Sequence, residues 1–308
     1  MALGTNHVTK TTADKFIPEI WSDEIVAAYK KSLVAANLFS KMSFKGKKGD
    51  TLHIPKPTRG NASAKSASTQ VTLQAATETE VQVLINKHYE YSRLIEDIVE
   101  TQALSSLRKF YTDDAGYALA KQVDTDLVQL GRGALGGDGT ADYTKGKINN
   151  ASTGALTDYV DGTSTAVAIN DAGIRNMIQL LDDQDVPMTD RFLIVPPSAR
   201  NTLMGLSRFT EQAFVGEVGG NNTIRNGMIG DIYGIKVYVT TNADSTTTAG
   251  GRVALLAHKD AFVLAEQMGV RSQTQYKQEY LGTLFTSDML YGVAELRDSS
   301  AVALVVPA

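Results

Sequence analysis

The apolar positions in the first half of the chain follow helical spacing in two segments. Between residues 16 and 44, apolar side chains recur every three or four positions, with acidic residues early and lysines later. That order suits the helix dipole and predicts an amphipathic helix beginning near Pro18. A second stripe, from Ile95 to Leu130, predicts one continuous helix of about 35 residues, roughly 50 Å long. Because average globular helices are far shorter, this helix is expected to form the spine of the molecule.

Residues 45–92, between the two helical segments, have the pattern of a long β-hairpin. The returning strand alternates, with Val81, Val83 and Ile85 on one face and polar side chains on the other. The tip, residues 56–70, contains no large apolar side chain and can bury nothing. Because an isolated two-stranded ribbon is only marginally stable in water, this hairpin is expected to project from the body and lie on another surface.

The residues after the spine helix have the pattern of a compact unit in which helices and strands alternate. Residues 131–166 are rich in Gly, Asp, Thr and Asn and predict a loop between two bodies. Helices are predicted over residues 168–184 and 198–209, the second capped by Ser198. Between them, RFLIVPP at residues 191–197 predicts a buried strand stopped by two prolines.

The last part of the chain is predicted to be mostly strands. The predicted segments are residues 235–241, residues 253–258, DAFVLAEQ, MLYGVAEL and AVALVV. Within residues 270–282, four positions alternate with charged and amide side chains. The four are Val270, Thr274, Tyr276 and Tyr280. This alternation predicts a strand with one packed face and one solvated face.

Composition narrows the classes of protein to be considered. With 308 residues, 43% of them hydrophobic, the chain can fill a real core, and its net charge of −4 is not that of a nucleic-acid-binding protein as a whole. Cysteine is absent, which excludes disulfides, thiol nucleophiles and zinc ribbons and suits a reducing cytoplasm. Since no signal peptide or membrane-spanning run is apparent, no membrane association is expected.

Two glycine-rich motifs raise the question of phosphate binding. NGMIGDIYGIKVYVTTN, residues 226–242, has glycines at 227, 230 and 234 that lead into an alternating, β-branched segment. A phosphate loop needs a helix N-terminus behind its glycines, so turn geometry is predicted here instead. GRGALG at residues 131–136 satisfies the G-x-G-x-x-G pattern but follows a helix rather than a strand. It is predicted to end that helix.

The remaining candidates for chemistry are histidines and acids. The four histidines, at positions 7, 53, 88 and 258, have neither H-x-x-x-H spacing nor cysteine companions, so no metal site is predicted. The acidic run DDQD at residues 182–185 lacks the glycine and distal glutamate of an EF-hand and predicts a solvated helix end. No G-x-S-x-G elbow occurs. The residues therefore predict neither an enzyme nor a cofactor.

Positive charge is concentrated on the predicted hairpin. Seven lysines and arginines between Lys41 and Lys65 accompany a single acid, Asp50, which is a local excess of six. Pairing with the acidic surface of an identical neighbour is favoured, and nucleic-acid binding stays open, although Phe44 is the only aromatic there for base stacking. The single tryptophan could anchor the N-terminal segment on a neighbour or on its own body. The candidate interface residues are Trp21, Lys47, Lys48, Lys56, Arg59 and Lys65.

Several segments resemble tailed-bacteriophage major capsid proteins of the HK97-type coat fold. They are FIPEIWSDEI, GDTLHIPKP, RFLIVPPSARNTLM and NGMIGDIYGIKVYVTTN, which occur in the family's order around a projecting hairpin and a spine helix. The resemblance implies an α+β fold. Its implied parts are an N-terminal arm (1–44), an extended hairpin called the E-loop (45–92), the spine helix of a peripheral P-domain (93–134), a mixed α/β A-domain (135–261) and returning P-domain strands (262–308).

The resemblance implies a major capsid protein that assembles as hexamers and pentamers into an icosahedral head shell around phage double-stranded DNA, without sequence-specific binding. It also implies a separate scaffolding protein, a portal protein and assembly in the bacterial cytoplasm before residence in the virion; a cement protein is left open. Some relatives join loops through a Lys–Asn bond, but no asparagine partner is identifiable here. Two alternative hypotheses are another phage structural protein, from the tail or minor head, and a nucleic-acid-binding protein that uses the basic hairpin.

Overall fold

The structure is a computed structural model, and it describes residues 33–46, 48–57, 60–71, 73, 78–102, 107–206, 230–247 and 251–308. The helices are α1 (Ala35–Leu38), α2 (Asp97–Gln102), α3 (Leu107–Gln129), α4 (Asp171–Asp182) and α5 (Pro197–Met204). The strands are β1 (Ser40–Ser43), β2 (Thr51–Lys56), β3 (Thr79–Leu84), β4 (Lys87–Glu96), β5 (Lys147–Asn149), β6 (Leu156–Asp158), β7 (Arg191–Val195), β8 (Asp231–Ile232), β9 (Ile235–Val239), β10 (Gly251–His258), β11 (Phe262–Lys277), β12 (Gly282–Glu295) and β13 (Ala301–Pro307).

A four-stranded sheet and the helix α3 form one part of the described chain. The strand order is β1, β11, β12, β4, with β1 parallel to β11 and the other pairs antiparallel. Apolar side chains of α3 at helical spacing, Leu119, Val123 and Leu127, lie in the same buried cluster as Phe262 and Tyr291 of the sheet. The helix is therefore held to the sheet by burial of its apolar stripe.

A seven-stranded sheet with order β6, β5, β13, β10, β7, β9, β8 forms the second part. Its central strands β7 and β13 are almost entirely buried, which explains their continuous apolar runs. One side of this sheet shares the α3 core, and the other is covered by α4 and α5 through residues such as Met177, Leu181 and Leu203. Asn170 caps α4 by accepting a hydrogen bond from the Gly173 amide at 2.7 Å.

The predicted hairpin is present as a two-stranded ribbon separate from both larger sheets. Strands β2 and β3 pair antiparallel from Thr51↔Leu84 to Lys56↔Thr79. We call β2, β3 and the residues joining them, 57–78, the ribbon. The residues of the joining segment that the structure describes are all exposed, as expected for a tip that can bury nothing.

Most of the predicted strands occur close to their expected positions. The segments at 191–197, 235–241 and 253–258 correspond to β7, β9 and β10, and the last two predicted strands correspond to parts of β12 and β13. The glycine prediction is also confirmed where the structure describes it. Tyr233 and Gly234 have φ angles of 52° and 77° and join β8 to β9, which is a two-residue turn of the kind that favours hairpins.

The predicted helices are wrong at two boundaries. Ile95 belongs to β4, and helix begins only at Asp97, because β4 stays paired with β12 as far as Glu96↔Gly282. In the first predicted helix, residues 40–43 form β1 instead, paired with β11, while residues 16–32 lie outside the described residues. In both places, pairing with a strand distant in sequence overrides a local helical pattern.

Two side-chain predictions are also wrong. Ser198 does not cap α5, whose N-cap is Pro196; the Ser198 hydroxyl donates instead to the Pro307 carbonyl at 2.7 Å. The strand β11 does not have one packed face beyond residue 269, since residues 270–276 are all exposed. Its core residues are those of its first part, such as Phe262 and Leu264. The farther part of β11 extends beyond that core.

Candidate subunit interface

The ribbon packs on the four-stranded sheet at one end, where Thr51 pairs with Leu84, and we call this end the root. Val83 and Ile85 are buried in a cluster with Val263 and Ala265 of β11. Val83 and Ile85 are two of the three positions that were predicted to form the apolar face of the returning strand. At these two positions the prediction of a buried face is confirmed. The Leu84 carbonyl passes so close to Gly292 of β12 that a Cβ at Gly292 would overlap it. The ribbon therefore leaves the body in a defined direction.

Polar contacts also hold the residues just before the root to β11. Lys45 forms an ion pair with Glu266 at 3.3 Å, and the Gln267 amide donates to the Gly49 carbonyl at 3.0 Å. Farther along the ribbon, His53 Nδ1 lies 3.0 Å from the Glu80 carboxylate across the two strands. The hydrogen bond from Gln82 and then that from His53 lower the pKa of Glu80. The His53–Glu80 contact crosses the ribbon and supports the pairing of β2 with β3.

The predicted interface residues are only partly within the described residues. Lys48, Lys56 and Lys65 are all exposed, and within the described part of the chain none of the three makes an ion pair. Lys48 precedes the ribbon, Lys56 is the last residue of β2 and Lys65 lies in the tip, so the three do not form one compact site. Trp21, Lys47 and Arg59 lie outside the described residues.

The N-terminal segment is attached to α3 through a carboxylate that the sequence analysis missed. Asp124 is completely buried; its Oδ1 accepts a hydrogen bond from the Ala35 amide at 2.6 Å, and its Oδ2 accepts one from the Asn242 side chain at 3.0 Å. One side chain thus joins α1, α3 and the loop after β9. A signal was present, because Asp124 is three residues before Leu127 and so falls on the apolar stripe.

Two further buried acids hold the sheet together. Asp126 accepts a hydrogen bond from the Tyr291 hydroxyl at 2.6 Å and lies 3.0 Å from Lys87 Nζ. Burial raises the pKa of Tyr291 well above its ordinary value, and the hydrogen bond to Asp126 is the second cause of this rise. Asp288 receives two bonds from Arg271, at 3.0 and 2.7 Å, and those bonds lower its pKa. These contacts are structural ties between neighbouring elements.

The motifs considered for catalysis or ligand binding have structural roles. GRGALG ends the spine helix, and its Gly136 amide donates a hydrogen bond to the Asp298 side chain at 2.6 Å. His258 accepts a hydrogen bond from the Asp260 amide at 3.1 Å, and Asp182 pairs with Arg191 at 2.7 Å. Among the described residues, no group of three or more His, Asp or Glu is placed to hold a metal ion.

Comparison with known proteins identifies the class. A family model described as phage capsid protein matches residues 94–304, which is more than half of the chain. The chain therefore belongs to the phage capsid protein family. No curated protein sequence matches it. In the part of the chain that the structure describes, no helix is long and apolar enough to cross a membrane.

Solved structures show the same fold. A chain from Mycobacterium phage Che8 is 22% identical with a TM-score of 0.74, covering 94% of this chain and 97% of that one. A chain from the capsid of cyanophage P-SCSP1u is 19% identical with a TM-score of 0.76, covering 99% and 96%. A chain from the mature capsid of bacteriophage PhiM1 is 14% identical with a TM-score of 0.69, covering 94% and 92%. The fold is the HK97-like capsid fold.

The function that follows is structural. Family membership and the HK97-like fold make this chain a major capsid protein, a subunit of the icosahedral head shell that encloses phage DNA. The sequence-based prediction of fold and function is confirmed, and the alternative hypotheses of a tail component and a nucleic-acid-binding protein are set aside. The shell is an oligomer of such chains, and its location is the virion.

Proposed function

We propose that this chain closes its shell by laying the ribbon on a neighbouring copy, with Trp21 and the basic residues of the ribbon at the contact. The supporting observation is the contrast between the two ends of the ribbon. Its root is buried and pinned, whereas the described residues of its tip are exposed, with Leu73 91% accessible. Because the paired strands are anchored on the sheet, the ribbon has less freedom to lose when its exposed tip meets a partner, which favours an interaction there.

The rest of the proposal concerns the division of the chain into parts and the partners of the protein, and both follow the HK97-type coat fold. Residues 1–44 form the arm, 45–92 the E-loop, 93–134 and 262–308 the P-domain, and 135–261 the A-domain around the axis of hexamers and pentamers. The protein acts by association and not by catalysis. A separate scaffolding protein and a portal protein are its proposed partners, a cement protein is left open, and assembly takes place in the bacterial cytoplasm.

The proposal is tested by deleting residues 57–70. The paired residues of the ribbon end at Lys56↔Thr79, so the deletion removes the tip and leaves the buried root intact. We expect a folded subunit with an unchanged melting temperature that forms no closed shells. A matched variant replaces the same fourteen positions, counted inclusively from 57 to 70, with a Gly/Ser segment of equal length. Electron microscopy of particles from all three proteins gives the result.

The matched variant separates the effect of the length of the tip from the effect of its side chains. If both variants fail to assemble, the side chains of the tip are required; if only the deletion fails, its length is required. Shells of normal size and yield from the deletion variant would contradict the proposed role of the ribbon.

A further inference from the structure

A small polar cavity lies where the chain crosses twice between the two larger sheets. One crossing is the turn from β10 to β11, residues 259–261, and the other is the segment from β12 to β13, residues 296–300. The Ala261 carbonyl of the first crossing accepts hydrogen bonds from the Leu296 and Arg297 amides of the second, at 2.8 and 3.2 Å. The cavity has a volume of about 130 Å³, far below the roughly 300–1,000 Å³ of sites for drug-sized ligands, so it suits a small ion.

The walls of this cavity, which we call the crossing cavity, are held in place by the fold. They are residues 184–187, His258, Asp260, Arg297, Ser299 and Ser300. The stretch after α4 is held by the buried Arg191, whose guanidinium donates to the Val186 and Pro187 carbonyls at 2.5 and 2.8 Å. In the second crossing, the Ser300 amide donates to the Arg297 carbonyl at 3.1 Å. Because the walls are already in place, a ligand that enters pays little for ordering them.

The crossing cavity is rich in hydrogen-bond donors. Within the described part of the chain, the Arg297 guanidinium takes part in no ion pair. His258 is buried, and its Nδ1 accepts a hydrogen bond from the Asp260 amide at 3.1 Å, so its ring hydrogen lies on Nε2. The hydroxyls of Ser299 and Ser300 are two further donors in the lining. A guanidinium beside neutral donors is suited to a tetrahedral oxyanion, whose oxygens accept several hydrogen bonds at once.

Two carboxylates in the lining decide which oxyanion fits. The Asp260 side chain already accepts a hydrogen bond from the Ser40 hydroxyl at 2.7 Å. Asp185 is exposed, and among the described residues its carboxylate has no partner. A carboxylate repels a fully ionised anion but accepts a hydrogen bond from an anion that carries a proton. Near neutral pH inorganic phosphate carries a proton, whereas sulfate and the phosphodiesters of nucleic acid carry none. The lining therefore favours inorganic phosphate.

We propose that the crossing cavity binds inorganic phosphate, with Arg297, His258 and the two serines donating to its oxygens and Asp185 accepting a hydrogen bond from its P–OH group. The bound ion joins the stretch after α4 to both crossings between the sheets. The second crossing also holds the turn that ends the spine helix, because the Asp298 side chain accepts a hydrogen bond from the Gly136 amide at 2.6 Å. Phosphate is therefore a ligand that stiffens the joint between the sheets. The site lies within one subunit and does not depend on shell assembly.

Equilibrium dialysis of unassembled subunits with radiolabelled phosphate tests the proposal. We expect one phosphate per chain, displaced by sulfate or by a dinucleotide phosphodiester only at concentrations about tenfold or more above those of unlabelled phosphate, because both competitors lack the hydrogen bond to Asp185. Arg297→Gln should weaken phosphate binding about tenfold or more. Lys236→Gln makes the same change of charge at an exposed position on β9 and should leave binding unchanged. Ionic strength is kept constant throughout.

Asp185→Asn tests the choice of anion separately. Asp185 has a φ of 53°, a left-handed conformation that asparagine also adopts, so the backbone is retained. Because the amide donates where the carboxylate only accepts, sulfate should displace phosphate from this variant as effectively as unlabelled phosphate does. Circular dichroism confirms that each variant is folded, and if Arg297→Gln is not, the comparison of anions still decides.

Four results would overturn the proposal. They are no retention of phosphate by wild-type subunits, equal displacement by sulfate and phosphate in wild type, full phosphate affinity in Arg297→Gln, and displacement by sulfate that is unchanged in Asp185→Asn. Displacement by the dinucleotide at the same concentration as phosphate would also overturn it, since the cavity would then be a contact for the DNA backbone.

Discussion

At the scale of single residues, Glu295 shows how the fold changes the chemistry of a side chain. It lies at the end of β12, and within the described part of the chain its buried Oε1 has no hydrogen-bond partner. A Cβ at Gly133 would lie 2.7 Å from its Oε2, so the carboxyl group is packed against the turn that ends the spine helix. Burial, and then the negative charge of Asp298, raise the pKa of Glu295 to about 7.

This raised pKa predicts a pH dependence of stability. The ordinary value is 4.5, so the folded chain holds the proton more tightly than the unfolded chain. The resulting stabilisation is complete below about pH 4.5 and is lost as pH rises through about 7. We expect Glu295→Gln to melt a few degrees above wild type at pH 8, where the carboxyl group is ionised; partial burial limits the size of this difference. At pH 5 the difference should be smaller, because the carboxyl group is then protonated and neutral like the amide. Thermal unfolding of unassembled subunits checks this, and parallel pH profiles for the two proteins would contradict it.

At the scale of elements, the direction of the ribbon depends on a glycine in a strand. Gly292 is in β12, where glycine is otherwise unfavourable, and the Leu84 carbonyl occupies the space that a side chain would take. The exposed Gly116 in α3 offers the opposite case, since a Cβ there meets nothing within 4 Å. The two glycines allow a matched comparison of the same substitution in two elements.

We expect Gly292→Ala to destabilise the subunit, because β3 must move off the sheet, and to lower shell yield by redirecting the ribbon. Gly116→Ala should stabilise the subunit by about 0.5–1 kcal/mol through helix propensity and leave assembly unchanged. Urea unfolding of both variants, with particle counts by electron microscopy, measures these effects. Full stability and normal assembly of Gly292→Ala would show that the close approach does not set the ribbon's direction.

At the scale of the whole molecule, charge is distributed unevenly: the net value is −4, whereas residues 41–65, which lead into the ribbon and include part of it, carry a local excess of six positive charges. Positive residues on a projection and negative residues on the body favour contact between unlike surfaces of neighbouring copies. Exposed charges of this kind set association rate and register more than final affinity, and salt screens them.

Replacing Lys48, Lys56 and Lys65 together by glutamate tests this arrangement. The net charge becomes −10, from −4 and three changes of −2 each. A control with Lys145, Lys236 and Lys259 changed to glutamate has the same net charge but an unaltered ribbon. We expect light scattering to show slower assembly for the ribbon variant than for the control, most clearly at low salt. Equal assembly rates for the two variants would contradict this arrangement, because any slowing would then come from repulsion between subunits of higher net charge and not from the loss of the ribbon lysines.

Features that depend on near neighbours in the chain could be predicted from the order of the amino acids. Helical spacing defined most of the spine helix, alternation defined the returning strand of the ribbon, and glycine placed a turn at Gly234. The order of these segments was also enough to indicate the capsid family. Such features are local, because the residues that decide them lie within a few positions of one another.

Features that join residues far apart in the chain could not be predicted in this way and became visible only in the folded structure. The pairing of β4 with β12 moved the start of helix to Asp97, and Asp124 found its partners at Ala35 and Asn242. The raised pKa of Glu295 likewise depends on surroundings that no local pattern describes. The physical reason is that burial and strand pairing select among locally possible conformations, and those choices are made by contacts between segments that only the folded chain brings together.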